Sequence, residues 1–172
     1  MLFPTYYYSS AYSVPYRKLY DEGKRGILFD VDNTLVEHGA PADESSVELI
    51  KMLKDIGFGV CFISNNKEPR VKNFNEPMGS TYIFKAGKPG KKGYLDACEK
   101  LGITPAEACF VGDQIFTDIW GANRAGITSF LVKRIAFHEE IQIHLKRIIE
   151  FPIILLFKLI RSKRCFLKNN EG

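Results

Sequence analysis

Short, unbroken apolar runs alternate with stretches of helical period along the first 132 residues. The runs at 26–30, 58–63, 81–84, 108–112 and 128–132 predict strands. Because they do not alternate with polar residues, they suit parallel strands buried on both faces. Between them, residues 43–56 carry Val47, Leu49, Ile50, Leu53 and Ile56 at helical spacing, and Gly57 follows as a stop. Residues 91–101 predict a second helix, closed by Gly102. Thr104-Pro105-Ala106-Glu107 has the form of a capping box with proline at the first helical position. Residues 117–125 predict a further helix before Gly126, and another is expected between Ser64 and Lys88. Strand and helix alternating in this way predict an α/β fold: a three-layer, Rossmann-like sandwich with a central parallel sheet.

The pattern changes after Val132. Ile141, Leu145, Ile148 and Ile149 fall at helical spacing, and Pro152 then kinks the chain or starts another helix. Phe151 to Phe157 is uncharged, far short of the roughly 20 residues a membrane-spanning helix needs. Lys146, Arg147, Lys158, Arg161, Lys163, Arg164 and Lys168 flank the apolar positions. Such a segment suits a helix lying in an anionic membrane interface, though the same face could cover the sheet or a second subunit.

Charge follows this division. The 172 residues carry a net +4, yet residues 1–132 hold 15 Lys/Arg against 16 Asp/Glu, and residues 133–172 hold 9 against 4. The basic surplus therefore belongs to the tail, and nucleic acid is not an expected partner. Three regions result: an aromatic-rich segment 1–23, a catalytic domain 24–135 and a basic amphipathic tail 136–172. Tyr6, Tyr7, Tyr8, Tyr12 and Tyr16 could form an interfacial patch or wrap the domain. The start lacks a basic stretch followed by an apolar one, so it does not read as an export signal. Cys61 and Cys109 sit inside apolar runs and read as buried thiols in a reducing compartment; no cysteine has metal-ligand spacing.

The candidate chemistry lies where apolar runs end. Gly26-Ile27-Leu28-Phe29 leads into Asp30-Val31-Asp32-Asn33-Thr34, and Ala108-Cys109-Phe110-Val111 leads into Gly112-Asp113, with Asp118 shortly after. Two strands ending in aspartates place acidic groups on the rim where open α/β sheets bind ligands. Converging carboxylates repel one another unless a cation joins them, and hard oxygen ligands suit Mg²⁺. Asp30, rigid behind its strand, can attack phosphorus. Asp32 can protonate the leaving oxygen and then deprotonate water. Thr34, with Ser64 and Asn65 after the second strand, can bind phosphoryl oxygens, and Lys88 supplies a cation. Asp30, Asp32 and Asp113 are the expected metal ligands, with Asp118 supporting the metal water or orienting Lys88.

This arrangement resembles the haloacid dehalogenase (HAD) superfamily of phosphohydrolases over roughly residues 24–132, with all four motifs in order. The resemblance implies a phospho-Asp30 intermediate, and Asp32 argues for a phosphatase against a dehalogenase. The runs Phe29 to Val36, Ser64-Asn65-Asn66, Lys88-Pro89 and Gly112 to Asn123 look like the YqeG group of subclass IIIA. That group is similar to phosphatases converting phosphatidylglycerophosphate to phosphatidylglycerol. This implies a lipid-borne phosphomonoester as substrate and a peripheral site on the cytoplasmic face of the membrane.

Spacing adds a separate constraint. Only 29 residues separate Thr34 from Ser64, and 23 separate Ser64 from Lys88. Neither interval accommodates a substantial cap domain, so the rim is expected to be open to bulky substrates. Residues 65–87 contain no Cys or His, which counts against the zinc-loop histidinol-phosphate phosphatases of the same subclass. His38, Lys91 and Lys92 read as surface residues, and Trp120 is expected to pack its helix on the sheet. Two rival functions stand beside the lipid phosphatase. One is a capless phosphatase for a soluble phosphoester, phosphoprotein or nucleic-acid 3′-phosphate; the other is a binding factor that retains the fold without turnover.

Overall fold

The computed structural model describes residues 2–135, together with Pro152 and Leu155. Its strands are β1 (Tyr6–Tyr8), β2 (Gly26–Phe29), β3 (Gly59–Ile63), β4 (Thr81–Ile83), β5 (Ala108–Gly112) and β6 (Thr128–Val132). They form one sheet in the order β1-β6-β5-β2-β3-β4, and every pairing is parallel. The five strands expected from the apolar runs are all present. β1 lacks a continuous aliphatic run, and its tyrosines extend the sheet along β6, where Tyr6 stacks on Phe130 at 5.0 Å.

Strand alternation divides the core into two layers. Ile27, Phe29, Val60, Phe62, Cys109 and Val111 face helices α1 (Tyr16–Asp21), α2 (Glu44–Ile56) and α3 (Glu68–Asn75). Leu28, Cys61, Ile63 and Phe110 face α4 (Lys92–Leu101) and α5 (Trp120–Arg124). The result is the expected three-layer α/β sandwich. Both cysteines are buried, and burial pushes each thiol up to about 12, which keeps it protonated. α2 is capped by Asp43, which accepts a 2.8 Å bond from the Ser46 amide, while Ser46 Oγ accepts from the Asp43 amide at 3.0 Å. It ends at Gly57, whose φ of 112° suits glycine alone among common residues.

Helix 117–125 takes another form. Ile115–Ile119 is a π-helical turn, with the Ile119 amide donating to the Gln114 carbonyl five residues back, and α5 continues from Trp120. Trp120 does not pack on the sheet. It lies on the outer face at 36% exposure, with the Arg124 guanidinium 5.3 Å from its ring centroid. The added residue in the π turn rotates the following side chains, so small Gly121 and Ala122 meet the core instead.

No inserted domain stands over the strand ends among the described residues. The segment 35–43 is a loop, and 65–87 contains only α3, β4 and connecting turns. No described helix is long and apolar enough to cross a membrane. The expectations for the tail, including its helix and membrane contact, fall outside the described residues apart from Pro152 and Leu155.

Leu53 is fully buried between α2 and the sheet. Leu53→Ala is expected to cost about 2–5 kcal/mol through the cavity it leaves, read as a lower urea midpoint with an unchanged slope.

Candidate active site

The sheet order reverses at β2, which lies between β5 and β3, so a crevice opens at the C-terminal ends of β2 and β5. Register brings the separated motifs together there. Phe29 pairs with Val111, so Asp30 and Asp113 emerge from adjacent strands. Phe29 also pairs with Phe62, which puts Ser64 on the neighbouring rim. Asp30 itself is held by its amide, which donates to the Val111 carbonyl at 3.0 Å.

Lys88 joins these elements. Its buried Nζ lies 2.5 Å from Asp30 Oδ1 and 2.7 Å from Asp118 Oδ1. Asn65 holds the Lys88 backbone from both sides: its Oδ1 accepts from the Lys88 amide at 2.8 Å, and its Nδ2 donates to the Lys88 carbonyl at 3.1 Å. Burial alone would lower the lysine pKa, but Asp118 and Asp30 outweigh it and keep the ammonium charged.

Asp118 is placed by the π turn. The Gln114 amide donates to its Oδ2 at 3.1 Å, and Tyr94 Oη donates to the Thr117 and Asp118 carbonyls at 2.8 and 3.2 Å. Gly112 makes this placement sterically feasible. A Cβ there would lie 2.5 Å from Asp118 Oδ2 and 2.7 Å from its Cγ, so the carboxylate packs against bare backbone.

Asp30, Asp113 and Asp118 each offer an oxygen within 4.8 Å of the others, the geometry of a site that one cation could share. Burial pushes Asp30 up to about 8, helped by Asp118 and Asp113 and opposed by Lys88. Asp113 is pushed up to about 7 by burial and then by Asp118, against Arg134. Raised carboxyls on hard oxygen donors are the chemistry a divalent cation relieves, so these residues fit one. Thr34 Oγ1 reaches Asp113 Oδ1 at 3.4 Å, and buried Ser64 accepts from the Asn66 amide through Oγ at 3.1 Å.

Asp32, expected among the metal ligands, has its oxygens engaged elsewhere. Oδ1 accepts from the Gly39 amide at 2.7 Å and from Arg70 Nη2 at 2.8 Å, and Oδ2 accepts from Asn66 Nδ2 at 2.6 Å. Asp118, expected to support the metal water or orient Lys88, bonds the Lys88 ammonium at 2.7 Å and also lies within the carboxylate cluster. Exposed His38 lies 3.9 Å from Asp32. Two arginines escaped the sequence reading. Arg70 comes from α3, and Arg134, just past β6, donates from Nε to Asp113 Oδ2 at 2.6 Å in a buried pair. Neither belongs to a motif; only the parallel order of the strands puts position 134 beside Asp113.

Comparison with known proteins agrees with this geometry. The profile described as haloacid dehalogenase-like hydrolase matches residues 38–126. The chain is 33% identical to probable phosphatase YqeG of Bacillus subtilis (strain 168), over 90% of this chain and 91% of that protein. In fold it is similar to a HAD family hydrolase of Deinococcus radiodurans R1 with bound phosphate and sodium. That match has a TM-score of 0.57 and 17% identity, over 73% of this chain and 88% of that one. It is also similar to the cobalt-bound deoxy-D-mannose-octulosonate 8-phosphate phosphatase of Haemophilus influenzae, with a TM-score of 0.55 and 21% identity, over 66% and 70%. The chain belongs to the haloacid dehalogenase-like hydrolases, and it is an enzyme of their phosphatase type.

The raised carboxyls set a pH dependence. Asp30 and Asp113 bind protons more tightly folded than unfolded, so in chelator the folded protein gains stability at low pH. That gain is complete below the ordinary carboxylate range and is lost as pH rises through about 7 and about 8. Urea midpoints in chelator should therefore fall between pH 5 and pH 8.5, and added divalent cation should flatten the fall by holding the carboxylates ionised.

Proposed function

We propose that the protein is a Mg²⁺-dependent phosphomonoesterase working through a phospho-aspartate, with phosphatidylglycerophosphate as substrate at a membrane surface. The observation that carries the phosphatase mechanism is the buried Lys88 ammonium bridging Asp30 and Asp118 beside Asp113.

In this reading an Asp30 carboxylate oxygen attacks phosphorus, and the bond from phosphorus to the ester oxygen breaks. Asp32, as a carboxylic acid, gives its proton to the departing oxygen. It then takes a proton from the water that attacks the phospho-aspartate, releasing phosphate and restoring Asp30. Its contacts with Arg70, Asn66 and the Gly39 amide must loosen for that proton to move. Thr34, Ser64, Asn65 and Lys88 form the phosphoryl cradle: Lys88 supplies charge, and Asn65 fixes where that charge stands. Asp30 and Asp113, with Asp118, would hold Mg²⁺, which would supply neutralisation of the phosphate charge and polarisation of the P–O bonds.

The lipid rests on other support. The rim is uncapped among the described residues and so admits a headgroup anchored in a bilayer. The relative YqeG bears a phosphatase name. The sequence from 151 to 168 carries five Lys/Arg and no Asp/Glu around an apolar run, which suits an anionic bilayer and divides the chain into catalytic body 24–135 and tail 136–172.

Phosphate release is to be followed from phosphatidylglycerophosphate in mixed micelles with Mg²⁺, beside a panel of soluble phosphomonoesters. Lipid turnover is expected, with Asp30→Asn silent and Asp32→Asn slower by about 10²–10⁴-fold. Release from soluble esters alone would discard the lipid and keep the mechanism, whereas turnover surviving Asp30→Asn would sink the mechanism.

A further inference from the structure

Beside the catalytic loop lies a groove of about 960 Å³, lined chiefly by Tyr12, Leu35, Val36, Leu49, Met52 and Ile135. Three of these are large apolar side chains left well exposed: Tyr12 at 39%, Met52 at 42% and Ile135 at 42%. Their clustering, rather than the exposure of any one, marks a surface built to be covered. The mechanism makes no use of it. The walls are firm: Tyr12 Oη donates to the Leu35 carbonyl at 2.7 Å, and Leu49 is buried on α2. Glu37, Asp43 and Glu48 put negative charge on the groove edge, which disfavours an anionic headgroup.

Ile135 brings the chain to this groove. The Ile135 amide donates to the Asn33 carbonyl at 3.1 Å, which holds this residue in place, and its side chain forms part of the wall. Thirty-seven residues follow. The first of them, 137–149, place Phe137, Ile141, Leu145 and Ile148 at intervals of four, four and three, one stripe of a helix. Glu139 and Glu140 balance Lys146 and Arg147, so this stretch has no net charge to attract it to an anionic bilayer, unlike 151–168. Thirteen residues give a helix about 20 Å long, too short to be stable alone in water, so it needs an apolar partner. Being tethered at Ile135, it meets the groove at high effective concentration.

We infer that residues 137–149 of this chain dock as an amphipathic helix in the Tyr12–Met52–Ile135 groove. The apolar stripe covers the exposed side chains, and Lys146 and Arg147 are available to the acidic edge. The basic segment beyond 151 is thereby held on the flank of the catalytic loop, whatever the substrate proves to be.

The test uses the full chain with Cys165→Ser, since Cys61, Cys98 and Cys109 are buried. Met52→Cys is combined in turn with Ile141→Cys, Leu145→Cys, Ile148→Cys and, off the stripe, Gln142→Cys, under mild oxidation. Rapid disulfide formation within one molecule is expected for at least one stripe position, with Gln142→Cys slower by about tenfold or more. Cross-linked dimers in place of monomers would overturn the proposal in favour of a second copy in the groove. Absence of any link would overturn it too. Protection of the tail from protease only with vesicles of phosphatidylglycerol and phosphatidylcholine would then identify the bilayer as its partner. A second measurement needs no cysteines. Hydrogen exchange along α2 should quicken about tenfold in Leu145→Asp/Ile148→Asp while β5 is unchanged, and equal exchange in both proteins would reject the docked helix.

Discussion

A single ammonium group, that of Lys88, holds the site together. It is buried with two carboxylates, 2.5 Å from Asp30 and 2.7 Å from Asp118. Charges removed from water are tolerable only when paired and hydrogen-bonded, so the loop bearing Lys88, the end of β2 and the π turn must reach one point together. Arg134 does the same for Asp113. Three carboxylates therefore face two fixed cations, leaving one unit of negative charge in a poorly solvated crevice. The upward shifts of Asp30 and Asp113 come first from burial and then from that imbalance. A divalent cation reverses its sign and makes the crevice attractive to a phosphate dianion.

The rest of the scaffold supplies position. Parallel register fixes Asp30, Ser64 and Asp113 on one rim, because Phe29 pairs with both Phe62 and Val111. Asn65 clamps the backbone of Lys88, Tyr94 steadies the turn that carries Asp118, and Gly112 leaves the space into which that carboxylate packs. None of Asn65, Tyr94 and Gly112 contributes a charge to the carboxylate–lysine cluster. Each removes a freedom that the charged groups would otherwise use to reach water.

Asp32 shows a different economy. Three donors hold its carboxylate, and one of them is the Gly39 amide from the loop that continues into the apolar groove. The loop 35–43 is thus the element shared between the rim and the groove.

Much of the architecture follows from local patterns along the chain. Unbroken apolar runs announced five parallel strands, of which the edge strand β4 is only half-buried, and the aspartates behind two of them announced an acidic rim, because a strand's end and its next polar residue are local facts. The short intervals between motifs announced an uncapped rim for the same reason. β1 stayed hidden because an edge strand of tyrosines has no local apolar signature; only Phe130 and its neighbours on β6 give those rings a surface. Trp120 faces outward because one extra residue in a π turn rotates a helix face, which no 3.6-residue period anticipates. The positions of Arg70 and Arg134, and the approach of Asp118 to Asp30 and Asp113, come from the tertiary arrangement. Which charges meet across a sheet rim depends on strand order and helix packing, long-range relations that spacing along the chain does not encode.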